Sequence, residues 1–500
     1  MMFIYGEVVA AIPGQAGTHW RGSKLTERVD PRLARGQQLF RRRNDLDADM
    51  NDIARQSAND IDLLQDLVAR AKRAGADAAD AVLFEGTSLS HARRLGNVEK
   101  LERSESQDLG LRVLVGRQQA IVSSSDRSPK MLAELVERTL AMAHAVPEDP
   151  FCGLAEPDQI AREWPSLDMF DPAEPAAEDL IERARAAEDA ALAVKGITNS
   201  EGAEAGWGRS RIALVASNGF AGGYAGSHHG VSVAVIGGSG QQMERDYDFA
   251  NAVYAADLRD PAVIGRNAGE RTVKRLGAKK MPTCRCAVVL DPRVARSMIS
   301  HLLGAISGPS IARGTSFLKD KLGQRIFGDA ITITEDPHRR RGHRSKPFDA
   351  EGLANRRRAL IDKGVLTTWL LDLRSARQLG LTSTGHAARG TASPPSPAAT
   401  NIWIEPGAQT PAELMADIKS GFYVTELMGM GVNGITGDYS RGAAGFWIEN
   451  GEIAFPVSEM TVAGNLNEMF AHLAAANDLE FRVGADSPTL RIDGLTVAGA

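Results

Sequence analysis

The clearest indication of the fold is the sequence TGDYSRGAAGFWIENG, residues 436–451. Its apolar run at 443–448 predicts a strand, and residues 453–457 predict another strand directly after it. The four residues between them, 449–452, are Glu-Asn-Gly-Glu, and Asn-Gly is the typical centre of a tight hairpin turn because both residues tolerate positive φ. The sequence therefore predicts an antiparallel hairpin late in the chain.

Working outward from this hairpin, strands predominate in residues 277–500. Apolar or alternating runs predict strands at 287–290, 331–334, 365–371, 401–404 and 422–427. A helix is predicted to begin at Pro292 and to end at Leu303, and a second helix is predicted over 463–475. We expect a β-rich C-terminal domain over residues 277–500.

Residues 60–276 mix helical and strand patterns. Apolar residues recur at helical spacing in four segments: 61–71, 128–144, 178–194 and 261–275. Strands are predicted at 81–84, 109–115, 119–123, 212–216, 220–224 and 231–236. We expect an N-terminal domain of helices on an antiparallel sheet, and thus an α+β protein.

Residues 1–58 differ from the rest of the chain. They carry many arginines and aspartates and lack sustained apolar periodicity, so that little core can form there. We interpret them as a disordered extension. Alternatively, translation begins at Met50.

Composition excludes several classes of protein. Hydrophobic residues make up 43% and charged residues 24% of the 500 residues, values typical of globular proteins. The net charge of −5 lacks the basic excess of a dedicated nucleic-acid binder, and no uncharged apolar run approaches the ~20 residues of a membrane span. The three cysteines, Cys152, Cys284 and Cys286, form no disulfide framework, which favours a reducing cytoplasm.

One short motif is typical of acyl-serine hydrolases. Ser316 and Lys319 form an SxxK pattern, and residues 419–421 are Lys-Ser-Gly, a variant of the K-[ST]-G motif. A neighbouring lysine could accept the proton of the serine. The accompanying SDN motif is missing, and the sequence also lacks the HExxH, GxSxG and phosphate-binding loop motifs. The serine route is therefore a minor alternative.

Several longer motifs resemble one known family. They are the 436–451 sequence, Gly431-Val-Asn433, Phe455-Pro-Val457, Val462-Ala-Gly-Asn-Leu466, Phe348-Asp-Ala-Glu-Gly352, Asp362-Lys-Gly-Val-Leu366, Thr384-Gly-His386 and Arg112-Val-Leu-Val-Gly116. Over about residues 60–500 the chain resembles the PmbA (TldE) branch of the TldD/PmbA family. TldD-type members are zinc peptidases that carry an HExxxH helix and a later cysteine ligand. They pair with a PmbA-type subunit, and the pair degrades or trims unstructured peptides, including microcin-like precursors. Some family names refer to DNA gyrase regulation.

The resemblance places the zinc helix at residues 292–308. His301 matches the first histidine, whereas Leu302 replaces the glutamate, Ile306 replaces the second histidine, and no cysteine follows Cys286. A catalytic zinc ion usually needs three protein ligands. We therefore expect no catalytic, metal-binding or cofactor-binding residue in this chain, and we expect His301 to be a packed or hydrogen-bonded residue.

The resemblance thus implies a cytoplasmic subunit of a zinc peptidase complex. The zinc ion would reside in a TldD-type partner, and the substrate would be an unfolded or extended peptide, without membrane or direct nucleic-acid binding. The glycine-rich segment 429–445 could hold the peptide by strand addition, or could simply pack in the core. The alternatives are a self-sufficient hydrolase, with an unconventional metal site or with Ser316 and Lys319, and a peptide-binding module without a peptidase partner. The sequence identifies neither the peptide nor any self-association.

Overall fold

A computed structural model describes residues 55–499, apart from the side chain of Gln241. Residues 1–54 of the predicted disordered extension lie outside the described residues. Residues 55–58, the end of the predicted extension, belong to helix α1 (residues 55–73). The predicted α+β class is confirmed, with an antiparallel sheet first and a β-rich region after it.

The N-terminal region is built on one antiparallel sheet of six strands in the order β3-β2-β1-β4-β5-β6. Its elements are, in chain order, β1 (Ala78–Arg94), β2 (Asn97–Val115), β3 (Gln118–Ser124), α2 (Pro129–Ala145), α3 (Ala177–Leu192), β4 (Ile197–Ala216), β5 (Ala221–Gly237), β6 (Glu244–Ala252) and α4 (Pro261–Arg275). Several strands are much longer than the sequence predicted. The predicted strands at 212–216 and 81–84 overlap the longest continuously buried stretches of β4 and β1, at 213–216 and 79–83.

Four helices cover one face of this sheet. Helices α1 and α2 pack against β1, β2 and β3, whereas α3 and α4 pack against β4, β5 and β6. Alternation along the strands separates the two faces: Leu83 joins the core below α1 and α2, and its neighbour Val82 joins a cluster with Phe348 from the second half of the chain. The sheet therefore lies between its helices and the C-terminal region.

The C-terminal region contains many short elements. They are β7 (Cys284–Leu290), α5 (Pro292–Ala305), α6 (Gly308–Ala312), β8 (Ile333–Glu335), β9 (Arg358–Asp362), β10 (Val365–Leu366), α7 (Leu373–Leu379), β11 (Ala387–Ala388), β12 (Ser396–Pro397), β13 (Ile402–Ile404), α8 (Pro411–Met415), β14 (Ser420–Met428), β15 (Asp438–Glu449), β16 (Glu452–Asn465), α9 (Leu466–Ala471), β17 (Leu473–Ala475), β18 (Ala485–Asp486) and β19 (Leu490–Ala498).

A closed ring of strands organises this region. The strand order is β16-β15-β14-β7-β19-β17, and β16 also pairs with β19, so that five strands close on themselves. A smaller sheet, β10-β9-β8-β13-β18, adjoins it through a shared core. The hairpin between β15 and β16 turns at Asn450 (φ 51°) and Gly451 (φ 85°), which confirms the Asn-Gly turn.

Two predicted elements in this region are wrong in extent. Residues 463–475 are not one helix: β16 continues to Asn465 because its last residues pair with both β15 and β19, and α9 occupies only Leu466–Ala471. The strand predicted at 365–371 ends at Leu366, and residues 369–371 are buried in the core without belonging to a strand. Burial explains that apolar run, in which Leu370 pairs only through an isolated bridge with Ser307.

Candidate functional site

Helix α5 places His301 at the edge of the C-terminal core. The helix begins after Asp291, whose carboxylate accepts a hydrogen bond from the backbone amide of Arg293 (3.0 Å), and Pro292 occupies its first turn. Its buried face includes Leu302, and the next residue after the helix, Ile306, is also fully buried. The two positions where the resemblance would require a glutamate and a histidine are therefore apolar core positions.

His301 lines a cavity of about 300 Å³. Helix α5 contributes Ser300, His301 and Gly304 to the wall, and the segment after α6 contributes Thr315 and Phe317. The opposite wall comes from the loop between β14 and β15, from β15 and from α9. Its residues are Met430, Val432, Gly434, Arg441 and Leu466. The 436–451 sequence and the helix of His301 thus meet at one cavity.

The imidazole of His301 packs against an aromatic ring but leaves one nitrogen unbonded. Its ring lies edge-on to Tyr439, with 5.8 Å between the centroids. Among the described residues Nε2 is buried and has no hydrogen-bond partner. Burial, and next the positive charge of Arg441, lower the pKa of His301 to about 4. The ring is therefore neutral at pH 7.

Arg441 is the cationic group of the cavity. Its Nε atom is buried without a hydrogen-bond partner, and within the described part of the chain it forms no ion pair with a carboxylate. It lies beside Tyr439, where burial raises the pKa of the phenol to about 12 and the guanidinium opposes that shift more weakly. Among the residues that the structure describes, the cavity wall thus carries one positive charge and no acidic side chain.

These residues do not fit a catalytic zinc ion. Residues 55–499 contain no group of three histidine, cysteine, aspartate or glutamate side chains that could hold a metal. The cavity offers one imidazole, and the adjacent guanidinium repels a dication. The thiols of β7 are no substitute, because neither Cys284 nor Cys286 is among the described residues that line the cavity.

Within the described residues, segment 429–445 presents no free strand edge to which a peptide could be added. Strand β15 pairs with β16 along its length and with β14 from Gly442 onward. Beside its first residues the β14–β15 loop folds back, so that the amide of Ser440 donates to the carbonyl of Gly431 (2.7 Å). The same loop exposes apolar side chains: Met430 is 88% exposed and Ile435 is 61% exposed. The segment therefore offers exposed apolar side chains rather than a free strand edge.

Hydrogen bonds to the backbone hold the buried hydroxyl of Ser316 in place. Its hydroxyl donates to the carbonyl of Ala305 (2.6 Å) and accepts from the amide of Leu318 (3.0 Å). The residue is 2% exposed, whereas Lys319 is exposed. A buried hydroxyl that bridges two backbone segments does not fit the nucleophile of an acyl-serine mechanism.

Two of the family-like motifs, 112–116 and 348–352, meet in a buried polar network that sequence reasoning did not assign. Asp80 of β1 binds both Arg112 of β2 (Nε–Oδ2 2.7 Å) and Arg389 of the C-terminal region. Glu351 lies near Arg112, and burial and then neighbouring Asp349 raise the pKa of Glu351. The network joins the N-terminal sheet to the C-terminal region. The sequence contained one indication of this network: charged residues lie inside otherwise apolar segments, as Arg112 does within 109–115.

The histidine of the Thr384-Gly-His386 motif is fixed in the interior. The Nε2 atom of His386 lies 2.5 Å from a carboxylate oxygen of Glu335, and both residues are at most 3% exposed. Glu335 also accepts from the amide and hydroxyl of Thr400. Burial opposes ionisation of Glu335, but these hydrogen bonds and His386 together lower its pKa. This pair stabilises the β8–β13 sheet and borders no described cavity.

In the described part of the chain, no helix is both long and apolar enough to cross a membrane.

Sequence models of one family match most of the chain. They are described as PmbA/TldA metallopeptidase domain 1 (residues 79–143), central domain (170–276) and C-terminal domain (283–499). Metalloprotease PmbA of Escherichia coli O157:H7 is 39% identical over 426 residues, which cover 85% of this chain and 92% of that protein. A PmbA homologue of Haemophilus influenzae is 36% identical, with coverage of 86% and 94%.

Solved structures share the fold. A putative modulator of DNA gyrase from Bacteroides thetaiotaomicron superposes with a TM-score of 0.81 at 28% identity, over 88% of this chain and 98% of that one. TldE from Thermococcus kodakarensis gives a TM-score of 0.79 at 20% identity, over 87% and 100%. The chain therefore belongs to the PmbA/TldD metallopeptidase family and, within it, to the PmbA (TldE) branch.

Proposed function

We propose that this chain is the non-catalytic subunit of a cytoplasmic zinc peptidase complex that degrades or trims unfolded peptides. A TldD-type partner supplies the zinc ion, and the two chains form a heterodimer. The observation that carries the proposal is the cavity beside His301, on the helix that the resemblance matches to the zinc helix of TldD-type members: it presents a single imidazole next to the Arg441 guanidinium. Such a donor set holds no catalytic metal by itself.

Two features support a role in holding substrate or partner. The β14–β15 loop exposes Met430 and Ile435 at the cavity side of the molecule, and large exposed apolar side chains are typical of interaction surfaces when they cluster. The cavity itself combines an apolar wall with a few polar groups, which is the usual composition of a ligand site.

Co-expression with a TldD-type protein tests the proposal. The complex should cleave a disordered peptide, should contain one zinc ion per heterodimer, and should lose activity when the glutamate of the partner's HExxxH motif is changed to glutamine. The matched variant in this chain, His301→Ala, should leave the zinc content unchanged.

Other results would favour the alternatives. Cleavage of the peptide by the isolated chain with bound zinc would establish a self-sufficient metal hydrolase, and loss of such activity in Ser316→Ala would favour the serine route. Peptide binding without any co-purifying TldD-type protein would indicate a binding module.

A further inference from the structure

We propose that the cavity between α5 and the β14–β15 loop binds the C-terminal carboxylate of an extended peptide whose last side chain is apolar. The inference rests on the proposed function, because it names the part of the peptide that this subunit would hold. It goes beyond that function in assigning a recognition chemistry to residues that the family's zinc chemistry leaves unused.

The first argument is charge balance. The wall of the cavity contains the Arg441 guanidinium and no acidic side chain, and within residues 55–499 Arg441 has no carboxylate partner. A guanidinium in this position is matched by one monoanion, and its planar donors suit a carboxylate. A multiply charged phosphate would be only partly neutralised, because the described residues place one cation, Arg441, in the wall.

The second argument is the pair of unbonded donors. Both Nε of Arg441 and Nε2 of His301 are buried without a hydrogen-bond partner. A buried polar atom without a partner costs stability. Both residues line the cavity, so that a small rotation of their side chains would bring these atoms within reach of the acceptors of a bound ligand. Since the pKa of His301 is held near 4 by burial and by Arg441, the neutral ring can donate from Nε2 without adding a second charge. A carboxylate offers two oxygens for these two donors.

The third argument is the size and lining of the site. About 300 Å³ is at the lower end of ligand sites, which suits a terminal residue better than a chain passing through. Phe317, Val432 and Leu466 form an apolar wall for its side chain. Strand β15 has no free edge beside the cavity, so the peptide is held by its end and not by strand pairing.

Binding of matched peptides to the isolated full chain tests the inference. The probes are a fluorescent disordered peptide ending in leucine with a free carboxylate, the same peptide amidated at its C-terminus, and an amidated peptide with an internal glutamate. We expect amidation to weaken binding at least about tenfold, the effect of losing a charge-assisted hydrogen bond. The internal glutamate should not restore it. Equal binding of free and amidated peptides, or rescue by the internal glutamate, would overturn the assignment.

Substitutions in the wall give an independent test. Arg441→Gln should weaken binding of the free peptide at least about tenfold, whereas Arg313→Gln, which removes an exposed cation outside the wall, should change it less than twofold. Gly304→Leu should block the cavity with all charges retained, because a Cβ at Gly304 meets no atom within 4 Å. Wild-type affinity in a folded Arg441→Gln or in Gly304→Leu would refute the site.

The outcome is separable from that of the proposed function. Co-purification with the TldD-type partner and the zinc content of the complex do not require a peptide carboxylate in this cavity. A chain that forms the active complex but binds free and amidated peptides alike would leave the proposed function intact and would remove the carboxylate site.

Discussion

Replacing Asp80 by asparagine removes the anion that two buried arginines share. Asp80 is 2% exposed; its Oδ2 accepts from Nε of Arg112 at 2.7 Å, and its Oδ1 binds Arg389, whose side chain is fully buried. The substitution leaves both cations without a counter-charge, and removing one member of a buried ion pair typically costs about 3–5 kcal/mol. Asparagine still accepts one hydrogen bond, so we expect a loss of about 3 kcal/mol in the free energy of unfolding.

Urea denaturation of the full chain measures this loss. The matched control is Glu182→Gln, which breaks an exposed pair with Arg185 and should leave the unfolding midpoint unchanged. A loss below about 1 kcal/mol for Asp80→Asn, the value expected of an exposed pair, would refute the reasoning.

The pH dependence of stability gives a second readout of the same residue. Burial by itself would raise the pKa of Asp80, but the two guanidinium groups outweigh it and lower the pKa below its ordinary value. A carboxyl group with a lowered pKa stabilises the fold above its unfolded pKa of about 3.9, and this contribution is lost as pH falls through the folded pKa. Wild type should therefore lose more stability on acidification below about pH 4 than Asp80→Asn does.

Three further predictions concern single side chains. Burial raises the pKa of Glu351, so the contribution of this residue to stability is present below the unfolded pKa of about 4.3 and is lost as pH rises. Thermal unfolding should therefore show Glu351→Gln to be more stable than wild type at pH 8 but not at pH 4. An equal difference at both pH values would contradict this. Gly304→Ala should stabilise by about 0.5–1 kcal/mol, because helix propensity improves in open space. Gly265→Ala should instead destabilise, because its Cβ would lie 2.1 Å from a backbone oxygen of α3, and a gain in both variants would refute the packing. Ser316→Ala should lower stability by about 1–2 kcal/mol through its two lost hydrogen bonds and should leave peptide cleavage by the complex unchanged; loss of cleavage in a folded variant would restore the serine route.

Much of the fold could be predicted where strands are buried, and little where they are exposed. The pattern of 109–115 identified one end of β2, but residues 97–107 of the same strand are exposed, carry many charges and gave no alternating signal. Backbone pairing with β1 extends the strand there without burial. The predicted division of domains near residues 276–277 stays a prediction, which limited proteolysis would test.

The candidate site was only partly accessible to sequence reasoning. His301 could be located through the resemblance of its helix, and Arg441 stood within the 436–451 sequence. That the two side chains face one cavity depends on how the β14–β15 loop folds back over β15, a tertiary contact with no local pattern. Likewise, the ionic roles of Asp80 and Glu351 depend on a contact between distant parts of the chain.

The position of β19 in the ring of strands has a consequence for synthesis in the cell. Residues 490–498 pair with β7 on one side and with β16 and β17 on the other, although β7 precedes them by about two hundred residues. The ring stays open at this seam, with unpaired edges on β7 and β16, until these residues have left the ribosome. Completion of the C-terminal region therefore waits for residues 490–498, and a nascent chain stalled before residue 490 should be a preferred client of chaperones that recognise exposed strand edges.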